Sequence, residues 1–222
     1  MKTALVIGAS RGIGHEFVCQ LLKAGWNVYA TARFASDIDK LKGLNAHAIE
    51  LDVSSASSLA GLDWQLDGVK IDLAIYVAGF YGPNTGAKDN PSASDFDQVM
   101  HVNVLGAMQC IALIGSLVED SGGKFVFVSS LMGSINQTQS SFGWIYRASK
   151  AALNMVVKSA SHDYPNATFV AMNPGWVQTQ MGGSNAPTTV QESVSKMLSV
   201  IDQLSMSDSG SFQSYDGREM SW

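Results

Sequence analysis

A chain of 222 residues, 46% of them hydrophobic, is long enough for one domain with a sizeable core, or for two small ones. Its net charge of −5, with no run of lysine and arginine, argues against a nucleic-acid-binding surface. The two cysteines, Cys19 and Cys110, lie far apart in apolar, helix-like stretches. That is the pattern of buried free thiols in a reducing compartment, not of a disulfide framework.

The opening Met1-Lys2-Thr3 runs into residues 4–7, an apolar run too short for a signal core. No apolar run approaches the ~20 residues that cross a bilayer, so the expected setting is soluble and cytoplasmic. Residues 3–7 read as a buried strand ending in Gly8. Helical periodicity follows over 12–24, with Ile13, Phe17, Leu21 and Leu22 on one side and Gly25 closing it. Further strands are expected at 27–32, 46–51, 71–77, 124–129, 168–172 and 211–214. Helices are expected at 37–41, 95–118, 146–160 and 190–204, and a loop over 82–90. Alternation of this kind predicts an α/β chain: a doubly wound, Rossmann-type domain spanning 1–222, with a seven-stranded, mostly parallel sheet and helices on both faces.

Gly8-Ala9-Ser10-Arg11-Gly12-Ile13-Gly14 stands between the first strand and the first helix. Glycines there allow a sharp turn and close approach to a pyrophosphate, and the helix start offers free amides to an anion. After the second strand comes Arg33, with no acid until Asp37. An acid at this point would hold ribose hydroxyls, whereas Arg33 and Arg11 suit a 2′-phosphate, so NADP(H) is expected over NAD(H). Asp52-Val53 either edges an adenine or caps the helix opened by Ser54 and Ser55.

Tyr146 and Lys150 are four residues apart on one helical face. An ammonium beside a phenol favours the phenolate and lowers its pKa, which suits a general acid or base. Phe80, Tyr81, Met132, Phe142, Trp144, Trp176 and Met181 gather at strand ends, where ligands bind in open α/β sheets. They suggest an apolar pocket. Residues 182–189 are expected to form part of a mobile lid.

Taken together, the glycine turn, Asp52-Val53, Ala78-Gly79, Asn103, Ser129-Ser130, Tyr146/Lys150 and Asn173-Pro174-Gly175 resemble the short-chain dehydrogenase/reductase family along essentially the whole chain. The stretches 129–135, 146–154 and 174–183 are similar to its C-factor-like and sniffer-type carbonyl reductase branch. The resemblance implies a catalytic set: Tyr146 as acid, Ser130 polarising the substrate carbonyl, Lys150 holding the nicotinamide ribose, and Asn103 placing a relay water. It implies further that Gly8, Ser10, Arg11, Gly12, Ile13 and Gly14 bind the cofactor phosphates. Ala78 and Gly79 would line its adenosine side, and Pro174, Gly175, Val177 and Thr179 would meet its nicotinamide end. No metal is implied. The expected activity is NADPH-dependent reduction of a small apolar carbonyl, or oxidation of an alcohol, by a homodimer or homotetramer without nucleic-acid or membrane partners. The other reading is an NAD(P)-binding signalling protein of the C-factor type. Two departures stand out: Tyr76-Val77 replaces the family's Asn-Asn before Ala-Gly, and Ser130 lies sixteen residues before Tyr146, a long interval. Strand alternation leaves open whether Ser129 or Ser130 faces the substrate.

Overall fold

The computed structural model describes residues 1–222. Seven strands form one sheet in the order β3-β2-β1-β4-β5-β6-β7, every neighbouring pair parallel. They are β1 (Thr3–Ile7), β2 (Asn27–Ala32), β3 (His47–Glu50), β4 (Leu73–Tyr76), β5 (Lys124–Val128), β6 (Thr168–Asn173) and β7 (Ser211–Ser214). The expected "mostly parallel" sheet is thus wholly parallel along its ladders. Parallel neighbours need crossovers, and helices supply them: α1 (Gly12–Lys23), α2 (Ala35–Gly43), α3 (Ala56–Leu59), α4 (Leu62–Gln65), α5 (Ala93–Met100), α6 (Gly106–Glu119), α7 (Trp144–Ala160) and α8 (Val190–Gln203).

Period-two alternation sorts the strand side chains into two cores. Leu5, Ile7, Phe125, Phe127 and Phe169 face α6 and α7, with Leu153 and Val157 packed among them. Ala4, Val6, Val126, Val170 and Met172 face the other way, toward α1, α2 and α8, with Phe17, Leu21, Val194 and Met197. Buried on both faces, the strands read as continuous apolar runs.

Three differences from the sequence reading matter. The helix expected over 95–118 is interrupted by a π-helical turn, His101–Leu105, between α5 and α6. The combined helical stretch, Ala93–Glu119, is also long and apolar enough to cross a membrane, contrary to the expectation that no such run exists: an 18-residue window within it has a mean hydropathy of 1.6. Half of it is buried in the protein, where Ala107, Cys110, Ile111 and Ile114 belong to the core under the sheet. Both cysteines are free as expected, but Cys19 is only half-buried.

After β7 the chain turns back on itself. Gln213 pairs antiparallel with Glu219, Ser214 donates to the Arg218 carbonyl at 2.8 Å, and Met220 donates to the Phe212 carbonyl at 2.7 Å.

Candidate active site

Because every strand runs the same way, the segments after β1, β4, β5 and β6 meet at one edge of the sheet. The crevice lies between β1 and β4, where the strand order reverses direction.

The glycine turn forms one wall. Gly8 has φ +90°, and a Cβ there would lie 2.7 Å from the Ala78 amide nitrogen, so the turns after β1 and β4 touch only because Gly8 has no side chain. Its amide donates to Thr31 Oγ1 at 3.1 Å. A Cβ on Gly14 would meet the Gly8 carbonyl oxygen at 2.1 Å, so α1 starts directly against the turn. Arg11 sits at the cap position of α1 with extended backbone and gives no side-chain cap. The first-turn amides are therefore left for an anion. Ser10 is half-buried in the turn, and half-buried Ile13 packs on the second core.

The two arginines behave differently from each other. Arg11 Nη1 donates to Gln180 Oε1 at 2.6 Å, joining the glycine turn to the loop after β6. The Arg33 guanidinium lies over the Phe34 ring, 5.3 Å from its centroid. Asp52 Oδ1 accepts from the Ser54 amide at 2.9 Å and the Ser54 hydroxyl at 2.7 Å. Burial works against its charge, but these bonds and the Arg33 charge outweigh it and lower its pKa. Ser55, not Asp52, caps α3. Val53 belongs to the core, with its carbonyl against Gly106.

The other wall carries the titratable groups. α7 presents Tyr146, Ser149, Lys150 and Leu153 on its buried side at helical spacing. Tyr146 is 7% exposed and Lys150 3%. Lys150 Nζ donates to the Val128 carbonyl at 2.8 Å and lies 5.6 Å from the Tyr146 ring centre. Burial brings its pKa down from 10.5 to about 8. Tyr146 moves opposite to expectation: burial raises its pKa well above the usual phenol value, and nearby Tyr81 adds to this. The Ser130 hydroxyl beside the phenol pulls the other way. It makes no normal-length bond to the phenol and accepts instead from the Met132 amide at 3.1 Å, capping the short 3-10 turn Leu131–Gly133. Ser129 is buried and donates to Asn154 Oδ1 at 2.6 Å. Ser130, not Ser129, therefore adjoins the phenol. The Tyr81 ring packs on that of Tyr146 with centroids 4.7 Å apart.

Asn103 is fully buried in the π turn. Its Oδ1 accepts from the Phe80 amide at 2.7 Å, and its Nδ2 donates to the Phe80 carbonyl and to Ser149 Oγ, each at 2.9 Å. Ser149 Oγ donates in turn to the Tyr146 carbonyl at 2.7 Å. Asn103 and Lys150 flank Gly79, whose missing Cβ would lie 3.6 Å from Asn103 Oδ1 and 3.8 Å from Lys150 Nζ. Sequence reasoning missed Ser149 as a link, although its place on the buried face of Tyr146 and Lys150 was a usable signal. The sequence marks Asn173 only as part of a motif, without its role: its Oδ1 accepts from the Leu131 amide at 3.0 Å and holds the turn after Ser130.

The loop after β6 closes the crevice. Val177 bridges Thr188, Trp176 Nε1 donates to the Gly182 carbonyl at 2.7 Å, and Gln178 Nε2 donates to the Ala186 carbonyl at 2.9 Å. The Thr179 methyl faces Gly12 across the crevice. Pro174 and Gly175 lie farther back: the Pro174 carbonyl accepts from Ser193 Oγ at 2.7 Å, and Gly175 has φ +80° against the Tyr215 ring. Phe80, Phe142, Trp176 and Met181 keep exposed apolar surface at this end.

The family model described as short chain dehydrogenase matches residues 2–189. The chain is 30% identical over 233 residues to 1-hydroxy-2-glutathionyl-2-methyl-3-butene dehydrogenase of Rhodococcus sp. (strain AD45), covering 100% of both. It is 37% identical over 155 residues to the C-signal protein of Myxococcus xanthus, covering 68% of this chain and 93% of that one. Carbonyl reductase Sniffer of D. melanogaster superposes with a TM-score of 0.93 at 26% identity over 100% of both chains. The NADPH-bound carbonyl reductase from chicken fatty liver superposes with a TM-score of 0.88 at 31% identity, covering 100% of this chain and 99% of that one. With its wholly parallel sheet, its glycine turn and a tyrosine and lysine buried on one helix face, this chain belongs to the short-chain dehydrogenase family.

Proposed function

We propose that the protein is an NADPH-dependent carbonyl reductase, with alcohol oxidation as the reverse reaction. The observation that carries this reading is the meeting of Tyr146, Lys150 and Ser130 in one buried corner of a crevice whose other wall is an uncapped, glycine-opened helix start. The NADPH-bound relative from chicken fatty liver supports the choice of cofactor. The residues fit the group. The bare amides of Gly12 to Gly14 suit its pyrophosphate, Gly79 leaves space between Asn103 and Lys150, and exposed Arg11 and Arg33 suit a 2′-phosphate. When bound, the reduced nicotinamide supplies the hydride.

The protein supplies orientation and the proton. Ser130 donates a hydrogen bond to the substrate carbonyl oxygen and polarises it. Tyr146 holds its proton because burial disfavours the phenolate, and it releases that proton to the oxygen as negative charge develops there. The Lys150 ammonium then stabilises the phenolate, so it acts while protonated, below about pH 8. Asn103 Oδ1 keeps one lone pair for a relay water. The apolar side chains Phe142, Trp176 and Met181 suit a small apolar ketone, aldehyde or quinone. Association into a homodimer or homotetramer fits the exposed stripe His101, Leu105, Met108, Ala112 and Ser116, and a cytoplasmic setting fits the free thiols.

The test is oxidation of NADPH, with NADH in parallel, against a panel of carbonyls for wild type and Tyr146→Phe. Turnover with a preference for NADPH is expected, and the variant loses it by about 10²–10⁴-fold with cofactor binding retained. Equal use of both cofactors sinks the arginine argument, and a fully active variant sinks the acid assignment. The 37% identity to the C-signal protein supports a second reading, a cofactor-binding signalling protein. Cofactor binding without turnover on any substrate would favour it.

A further inference from the structure

The family's first asparagine before Ala-Gly is replaced here by Tyr76, the last residue of β4. Tyr76 is fully buried, among the largest side chains so placed, and packs on Phe127 with ring centroids 6.0 Å apart. Its hydroxyl donates to the Val102 carbonyl at 2.6 Å, and Val102 lies in the π turn immediately before Asn103. A side chain inserted against the backbone ladder is one of the few identifiable causes of a helix irregularity, and single π turns often sit at functional positions. The helix is cut away to admit the phenol: a Cβ on Gly106 would lie 2.7 Å from the Tyr76 hydroxyl and 2.8 Å from the Val53 carbonyl oxygen. Burial, with the nearby Cys110 and Asp52 adding to it, holds the phenol well above its ordinary pKa, so it remains a donor.

We infer that Tyr76 is a positioning residue, whose buried hydroxyl braces the π turn and so fixes Asn103. The connections are all direct. Tyr76 holds the Val102 carbonyl. The next residue, Asn103, clamps both main-chain groups of Phe80 and the Ser149 hydroxyl, and Ser149 holds the carbonyl of Tyr146. A strand residue with no surface in the crevice thereby sets the wall between the β4 turn and α7. The effect on catalysis rests on the reductase reading, but the brace itself does not.

The test is amide hydrogen exchange on the intact protein without substrate, for wild type, Tyr76→Phe and Ile75→Val. Ile75 is the preceding strand residue and belongs to the opposite core, so its variant controls for general loss of packing. Tyr76→Phe removes one oxygen and no packing. The Phe80 amide reports the clamp, because its proton goes to Asn103 Oδ1. In Tyr76→Phe, exchange at Phe80 and across 103–106 is expected to accelerate by about tenfold, the effect of losing one buried hydrogen bond. Exchange in β1 and β6 should hold. Unchanged exchange at these amides, or the same acceleration in Ile75→Val, overturns the brace. In turnover, kcat is expected to fall by about tenfold with the KM for NADPH moving less than about twofold. Equal loss in both parameters, or none, overturns the positioning of the site. If wild type turns over no carbonyl, the reductase reading fails, and the exchange pattern alone still decides the brace.

Discussion

Lys150 has 3% of its surface exposed and donates to one carbonyl, that of Val128, where an ammonium offers three donors. A shift from 10.5 to about 8 corresponds to roughly 3 kcal/mol held against the charged folded form. Replacing Lys150 by Met keeps the length, removes the charge and leaves the Val128 carbonyl unpaired, so the net gain is smaller. The Lys150→Met protein should melt about 4 °C above wild type at pH 7 and lose turnover. The sign with pH follows from the depressed folded pKa. Below about pH 8 both states are protonated and the penalty is full. Between about 8 and 10.5 the unfolded chain binds the extra proton, so wild-type stability rises with pH. Melting curves at pH 7 and 9.5 should show the gap narrowing, and a gap constant with pH would remove burial as the cause. The pairing of Tyr146 with Lys150 is legible in the sequence because helical spacing puts them on one face. The direction of the Tyr146 shift is not, because spacing reveals a neighbouring charge but not the burial that outweighs it. Ser130 over Ser129 came from the family resemblance and not from strand alternation, since the physical reason is Asn154 reaching in from α7 to take the Ser129 hydroxyl.

At the scale of elements, the strands were legible almost to the residue, because a parallel sheet covered on both faces makes each one a continuous apolar run between glycine or polar breaks. The π turn was not. A single extra residue leaves the apolar stripe of a long helix nearly intact, so residues 95–118 read as one regular helix. Four-residue helices such as α3 and α4 also escape, being too short to show periodicity. The glycine turn was recognised by pattern, but its strictest requirement is internal packing. Gly14→Ala would place a Cβ 2.1 Å from the Gly8 carbonyl oxygen, pushing α1 off the turn. A loss of roughly 3 kcal/mol and about 6–12 °C in Tm is expected, together with weakened NADPH binding. Gly43→Ala, at the end of α2 with nothing within 4 Å, is the matched control and should change Tm little. Equal effects of the two substitutions in thermal melts would refute the packing argument.

For the whole molecule, a long helical face is left without cover. His101, Leu105, Met108, Ala112 and Ser116 recur at spacings of three and four along the π turn and α6, and Met155 is 65% exposed on α7. Such a stripe suits a two-fold partner of the same kind, which buries the same residues twice. Sedimentation should give a dimer or a larger even assembly, and Met108→Glu should shift it toward monomer while leaving Tm in the dilute limit nearly unchanged. Wild type that sediments as a monomer at micromolar concentration would reject this face as an interface. The turn-back after β7 narrows the choice further. The main chain of Phe212 to Ser214 is already paired with residues 218–220, and the opposite border, β3, is four residues long and carries Glu50. Neither border offers a long, flat, unpaired strand to another chain. Growth by strand addition is therefore blocked by the chain's own turn-back at the β7 border and disfavoured by the short, charged β3 border, which leaves the helical faces as the better surface for a second copy.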